Sequence, residues 1–154
     1  MPHSDPNANI HSMHEFEAMD RSVDVLIVDT NTCNDPSITH LDLSSFKYLR
    51  VFEVGDCSFA YMEELNLVAL EELDRVGMGV NCFSKENNSG HFSLKNCPQV
   101  KEMKMSRYSF RGYSACEIEA DDSLEVIEMG ELNEQSSNFY EGDCVLRGYC
   151  DAMN

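Results

Sequence analysis

LRVFEVGDCSF, running from Leu49 to Phe59, decides the fold. Apolar residues stand at its first, fourth, sixth and eleventh positions. The same spacing returns in LDRVGMGVNCF from Leu73, VKEMKMSRYSF from Val100 and VDVLIVDTNTC from Val23. A fifth copy, LEVIEMGEL from Leu124, keeps the first six positions and then departs, with an insertion before Phe139 displacing its last apolar residue. The copies start at residues 23, 49, 73, 100 and 124, so the period is 24 to 27 residues. A fixed period of this kind predicts a repeat solenoid, in which each unit carries an apolar row that only its neighbours can bury.

The rest of each unit repeats as well. Leu43, Leu67, Leu94 and Ile118 lie six residues before successive starts, and Leu41, Leu65, Phe92 and Cys116 lie two residues further back. Each unit therefore holds a second short alternating segment: LDL, LNL, FSL and CEI. CVL, from Cys144, opens a partial sixth unit, with Tyr149 and Ala152 on the expected apolar spacing. Side chains alternate across a strand, so the apolar set of each segment faces inward and its neighbours face outward. The predicted inner columns are Val23, Leu49, Leu73, Val100, Leu124; Leu26, Phe52, Val76, Met103, Ile127; and Val28, Val54, Met78, Met105, Met129. Phe59, Phe83, Phe110 and Phe139 follow as a spine, with Cys33 in the first copy.

The template, apolar-x-x-apolar-x-apolar-x-x-(N/C/Y)-x-apolar, resembles the leucine-rich repeat consensus over roughly residues 22–152. With two strand-like segments per turn and a recurrent Ser-Phe or Cys-Phe, it looks most like the BspA-type leucine-rich repeats of bacteria and protists. The resemblance implies a mainly β solenoid with a parallel sheet of LxxLxL strands, a second short strand per turn and little helix. It implies a non-enzymatic, protein-binding scaffold that uses the exposed face of a curved sheet. On that face the expected contact residues are Val25, Ile27, Val51, Arg75, Glu102 and Val126. It also implies that the ninth position (Asn31, Cys57, Asn81, Tyr108) ties down the backbone of the turn, a place for which Tyr108 is too large. Two alternatives stand beside it. One is a BspA-type surface adhesin, should an export signal lie upstream. The other is a non-functional fragment of a longer repeat protein, since the first unit lacks an obvious capping helix and the last stops halfway.

Residues 1–21 are polar and acidic and read as a flexible leader; residues 22–154 read as the solenoid. The leader has no basic stretch followed by an apolar core, as a signal peptide would, and no run reaches the ~18 apolar residues of a spanning helix. The expectation is a cytoplasmic protein. Its seven cysteines, well apart and without a CxxC pair, then read as small buried hydrophobes. A net charge of −17 argues against nucleic acid and anionic membrane as partners. What remains is a protein partner of unknown identity, met by a monomer or by one part of a longer array.

No catalytic residue, cofactor or metal is expected. His3, His11 and His14 fall in the leader, and His40 and His91 read as surface residues. Gly55, Gly79 and Gly130 recur at one strand end and read as tight turns rather than a phosphate loop. Asp121 and Asp122 read as a solvent-facing bulge, and Asn87-Asn88-Ser89 has the pattern of a glycosylation sequon. The basic cluster Lys95, Lys101, Lys104, Arg107 and Arg111 is either a docking site or is paired with the acidic fifth unit. The second template position alternates in sign (Asp24, Arg50, Asp74, Lys101, Glu125), and opposite charges on adjacent strands contribute ~0.2–1 kcal/mol each. Register-fixing pairing is therefore the preferred reading.

Overall fold

The computed structural model describes residues 7–83, 90–106, 108–110, 113–119, 124–129 and 143–147. Its strands are β1 (Asn7–Ile10), β2 (Val25–Val28), β3 (His40–Asp42), β4 (Val51–Val54), β5 (Glu64–Val68), β6 (Arg75–Met78), β7 (Gly90–Lys95), β8 (Glu102–Met105), β9 (Tyr113–Glu119), β10 (Val126–Met129) and β11 (Asp143–Arg147). One short helix, α1 (Met13–Ala18), lies between β1 and β2. The strands form two parallel sheets, one ordered β1-β2-β4-β6-β8-β10 and the other β11-β9-β7-β5-β3. The chain is a mainly β repeat solenoid of about four turns, each turn giving one strand to each sheet.

Register follows the template. Leu26, Phe52, Val76, Met103 and Ile127 are mutual partners across β2, β4, β6, β8 and β10. In the second sheet Leu41, Leu65, Phe92 and Cys116 align likewise. These residues, with the first-position column from Val23 to Leu124, form the core between the sheets, Ile127 packing against it partly buried. A one-residue slip would turn every apolar row to solvent, which is why the pattern specifies register so firmly. Both sheets are hydrogen-bonded ladders, so both sides of each coil share the same ~4.8 Å spacing.

The turn after each strand of the first sheet differs from the expectation. The ninth residue does not face inward. Asn31, Cys57, Asn81 and Tyr108 sit at φ 54°, 59°, 62° and 66° and are wholly or partly exposed, so the size of Tyr108 is no obstacle. The tenth residue does the tying. Ser58 Oγ accepts from Thr32 N (3.0 Å) and donates to the Asp29 carbonyl (2.6 Å). Ser109 Oγ accepts from Cys82 N (3.1 Å) and donates to the Gly79 carbonyl (2.7 Å), and Cys82 Sγ donates to the Gly55 carbonyl (3.0 Å). Each of these groups satisfies buried backbone polar atoms of its neighbourhood, whose loss costs about 1–3 kcal/mol. The eleventh residue is again left-handed, at φ 62°, 56°, 51° and 58° for Cys33, Phe59, Phe83 and Phe110. A side chain there is strained by about 1–2 kcal/mol. Ring stacking offsets it: Phe59–Phe83 and Phe83–Phe110 centroids are 5.2 and 4.9 Å apart and the rings are nearly parallel. Phe139 lies outside the described residues.

Gly55 and Gly79 serve close approach rather than a special φ. A Cβ on Gly55 would come within 2.6 Å of Thr30 N, and one on Gly79 within 2.9 Å of Asp56 N. Gly130 lies outside the described residues. Residues 7–19, within the stretch read as a leader, build a cap instead. β1 pairs with β2, and Ser12 caps α1 by accepting from Glu15 N while Glu15 reaches back to His11 N. Phe16 is buried, stacks on Phe46 (5.9 Å) and meets Phe59 edge-on (6.2 Å). It thus extends the aromatic spine past the small Cys33. The Arg21 guanidinium lies over the Phe46 and Phe16 rings, 4.7 and 5.2 Å from their centroids.

Candidate binding face

The outward face of the first sheet is two columns wide. The third template position reads Asn7, Val25, Val51, Arg75, Glu102, Val126, and the fifth reads Asn9, Ile27, Glu53, Gly77, Lys104, Glu128. All six residues expected to contact a partner lie here: Val25, Val51, Arg75, Glu102 and Val126 in one column and Ile27 in the next. Val51 is only 6% exposed, shielded by the residues around it, while Arg75 stands in solvent. The face is apolar towards β2 and β4 and charged towards β8.

Gly77 interrupts it. Glycine within a strand costs roughly 0.5–1 kcal/mol relative to alanine, so it calls for a reason. A Cβ here would meet nothing nearer than Glu53 Cγ at 3.8 Å, and φ is not left-handed. Neither turn geometry nor packing requires a glycine. Its effect is a side-chain-free notch between Glu53 and Lys104, one column from Arg75.

Among the charges of this face, Lys104 Nζ lies 3.1 Å from Glu102 and 3.9 Å from Glu128. The Glu102 hydrogen bond chiefly raises its pKa. The predicted second-position ladder is in register but not ion-paired: among the described residues Arg50 and Lys101 make no ion pair, nor does Arg75 of the third position. Lys95 belongs to the other sheet, so the basic cluster read from sequence is divided between two faces. Arg107 and Arg111 lie outside the described residues.

The outward face of the second sheet is more tightly knit. His40 Nε2 lies 3.2 Å from Glu64, which also accepts from Asn66 Nδ2 (2.6 Å). Lys95 Nζ lies 2.7 Å from Glu117, and His91 Nε2 lies 3.9 Å from the same carboxylate and 3.4 Å from Ser93 Oγ. The last three residues are not a nucleophile–base–orienter relay, because hydroxyl and carboxylate meet the same ring nitrogen. Sequence reading took His40 and His91 as plain surface residues; register sets them on either side of Glu64. Among the described residues no group of three or more His, Cys, Asp or Glu could hold a metal.

The thiols follow burial. Desolvation, with a smaller push from the charge of Glu15, raises Cys33 to about 12. Desolvation raises Cys82 to about 11 and also raises Cys97. They stay protonated and weakly nucleophilic at neutral pH. Cys57 is exposed. Cys116 is disulfide-bonded, which corrects the expectation of free thiols throughout. Burial likewise raises the pKa of Tyr113, whose hydroxyl donates to the Met62 carbonyl at 2.7 Å. Asp121, Asp122 and the sequon at 87–89 lie outside the described residues. No described helix is long and apolar enough to cross a membrane. No family model, curated protein or solved structure matches the chain.

Proposed function

We propose that this protein is a non-enzymatic scaffold, of leucine-rich-repeat character, that binds another protein through the outward face of its first sheet. One observation carries the reading. Apolar side chains and Arg75, which makes no ion pair among the described residues, share one face, around a glycine that the fold itself does not need. Aliphatic groups, arginine and open space in one patch are what a protein interface uses. The test is parallel affinity capture from the source cell with three baits: wild type, Arg75→Glu/Val126→Glu on this face, and Glu64→Gln on the other. Proteins retained by wild type and Glu64→Gln but lost by the double variant support the reading. Retention by the double variant with loss by Glu64→Gln overturns it.

A second reading, an exported adhesin, is favoured by the disulfide at Cys116, a linkage that persists mainly in oxidising compartments. Alkylation of protein taken directly from cells tests it. A blocked Cys116 supports export, and a modified one argues for a reducing location.

A further inference from the structure

We infer that the partner this face fits is a second copy of the chain, packed face to face about a two-fold axis that runs parallel to the strands between β6 and β8. This rests on the protein-binding reading of the face and names the partner. Such an axis preserves strand direction and residue level. It sets β6 against β8 of the second copy and β4 against its β10.

The column chemistry is self-complementary under that operation. At the third position Arg75 faces Glu102 of the second copy and Val51 faces Val126. At the fifth, Gly77 faces Lys104, and Glu53 faces Glu128. Each contact occurs twice, as in any isologous interface. Arg75, which makes no ion pair among the described residues, meets the Glu102 carboxylate of the second copy. Gly77 acquires a purpose: its notch receives the aliphatic stem of Lys104 from the opposite copy. Glu53 against Glu128 is the only like-charged contact in these columns. Moving the axis half a strand spacing, onto β6 or β8, sets Arg75 against Arg75 or Glu102 against Glu102 and destroys the match.

Size fixes the strength. Four strands at ~4.8 Å and five residues at ~3.3 Å give a patch of about 300 Å². That is well under the roughly 800 Å² per partner of a stable complex, so the dimer is reversible. The net charge of −17 per copy opposes it at low ionic strength, where screening is weak.

The test is sedimentation velocity at about 0.15 M salt, where the screening length is ~8 Å, from about 1 µM to about 1 mM protein. Wild type is expected to pass from monomer to dimer across that range. Arg75→Glu places two Glu–Glu contacts in the interface and Glu102→Arg places two Arg–Arg contacts, so each alone weakens the dimer by about tenfold or more. An equimolar mixture of the two recovers it, because both contacts in the heterodimer are then oppositely charged. Glu53→Lys removes the like-charged contact and tightens the wild-type dimer. Circular dichroism melts verify that each variant is folded. Monomeric wild type throughout, single variants that dimerise as wild type does, or a mixture that stays monomeric would each overturn the inference. A monomer here combined with Arg75-dependent capture above leaves the scaffold reading standing with a different protein as partner.

Discussion

The two outer faces of the solenoid are built on the same backbone ladder but differ in what their side chains do. On the second sheet the charged groups are tied to one another: His40 to Glu64, Glu64 to Asn66, and Lys95 and His91 to Glu117. Its glycine is occupied too. Gly90 faces inward, and a Cβ on it would strike Cγ of the Tyr113 ring at 2.5 Å. On the first sheet Gly77 is open, and Arg50, Arg75 and Lys101 have no ionic partner among the described residues. The first face does tie Lys104 to Glu102 and, across the coils, to Glu128, but it leaves Arg75 without an ion pair among the described residues.

The two glycines offer the sharpest way to break this contrast. Gly90→Ala pushes a methyl group into the buried Tyr113 ring and strains its hydrogen bond to Met62, at an expected loss of about 1–3 kcal/mol, the usual range for overpacking. Gly77→Ala adds the same methyl group in open space and should leave stability unchanged or raise it by up to about 1 kcal/mol. Urea denaturation midpoints decide it. Comparable losses at the two sites would show that Gly77 is structural and remove the main reason to see a notch.

Most of the architecture behind this contrast is legible in the sequence, because period two and a repeat of 24 to 27 residues leave little freedom in register. Residues 7–19 are less legible. β1 carries one fully buried residue, Ile10, and α1 one, Phe16, too few to produce a periodic signal. The Ser12-x-x-Glu15 capping box was the available cue. The tenth-position ladder is partly legible: the recurrent Ser-Phe or Cys-Phe marks Ser58, Cys82 and Ser109, but Thr32 breaks the pair, and residue type alone does not say which backbone groups each would bond. The face itself is half legible. Alternation puts Val25, Ile27, Val51, Arg75, Glu102 and Val126 outward. Which charges stay apart depends on side-chain reach, which spacing does not encode.

A smaller effect separates the faces by charge. Lys95 and Glu117 are each about one-third exposed, so Lys95→Ala should cost no more than about 1 kcal/mol after solvent screening. Arg75→Ala on the first sheet should cost less than about 0.5 kcal/mol, as surface substitutions away from specific contacts do. The same variant should weaken association measured by sedimentation, whereas Lys95→Ala should leave it unaltered. The reverse assignment, with Arg75→Ala the more destabilising, would mean the first face is also knit together.

The smallest effect lies at the rim of the first sheet, where one charged pair is engaged. His11 Nδ1 and Asp29 Oδ2 are 2.9 Å apart and tie the turn after β1 to the turn after β2. The Asp29 hydrogen bond chiefly raises the pKa of His11, and the His11 hydrogen bond chiefly lowers that of Asp29. The signs define a window. A raised histidine pKa contributes stability that is complete below the unfolded value and disappears as pH rises through the folded one. A lowered aspartate pKa contributes stability present above the unfolded value and lost as pH falls through the folded one. The tether is therefore strongest in the acidic range between the two unfolded values, ~4 to ~6.5, and fades on either side. His11→Gln should flatten that part of the melting profile, with a change smaller than that of Lys95→Ala because both groups are exposed. A wild-type minus His11→Gln difference in midpoint that is constant from pH 4 to 8 would show that the cap is held by Phe16 and the β1–β2 ladder alone.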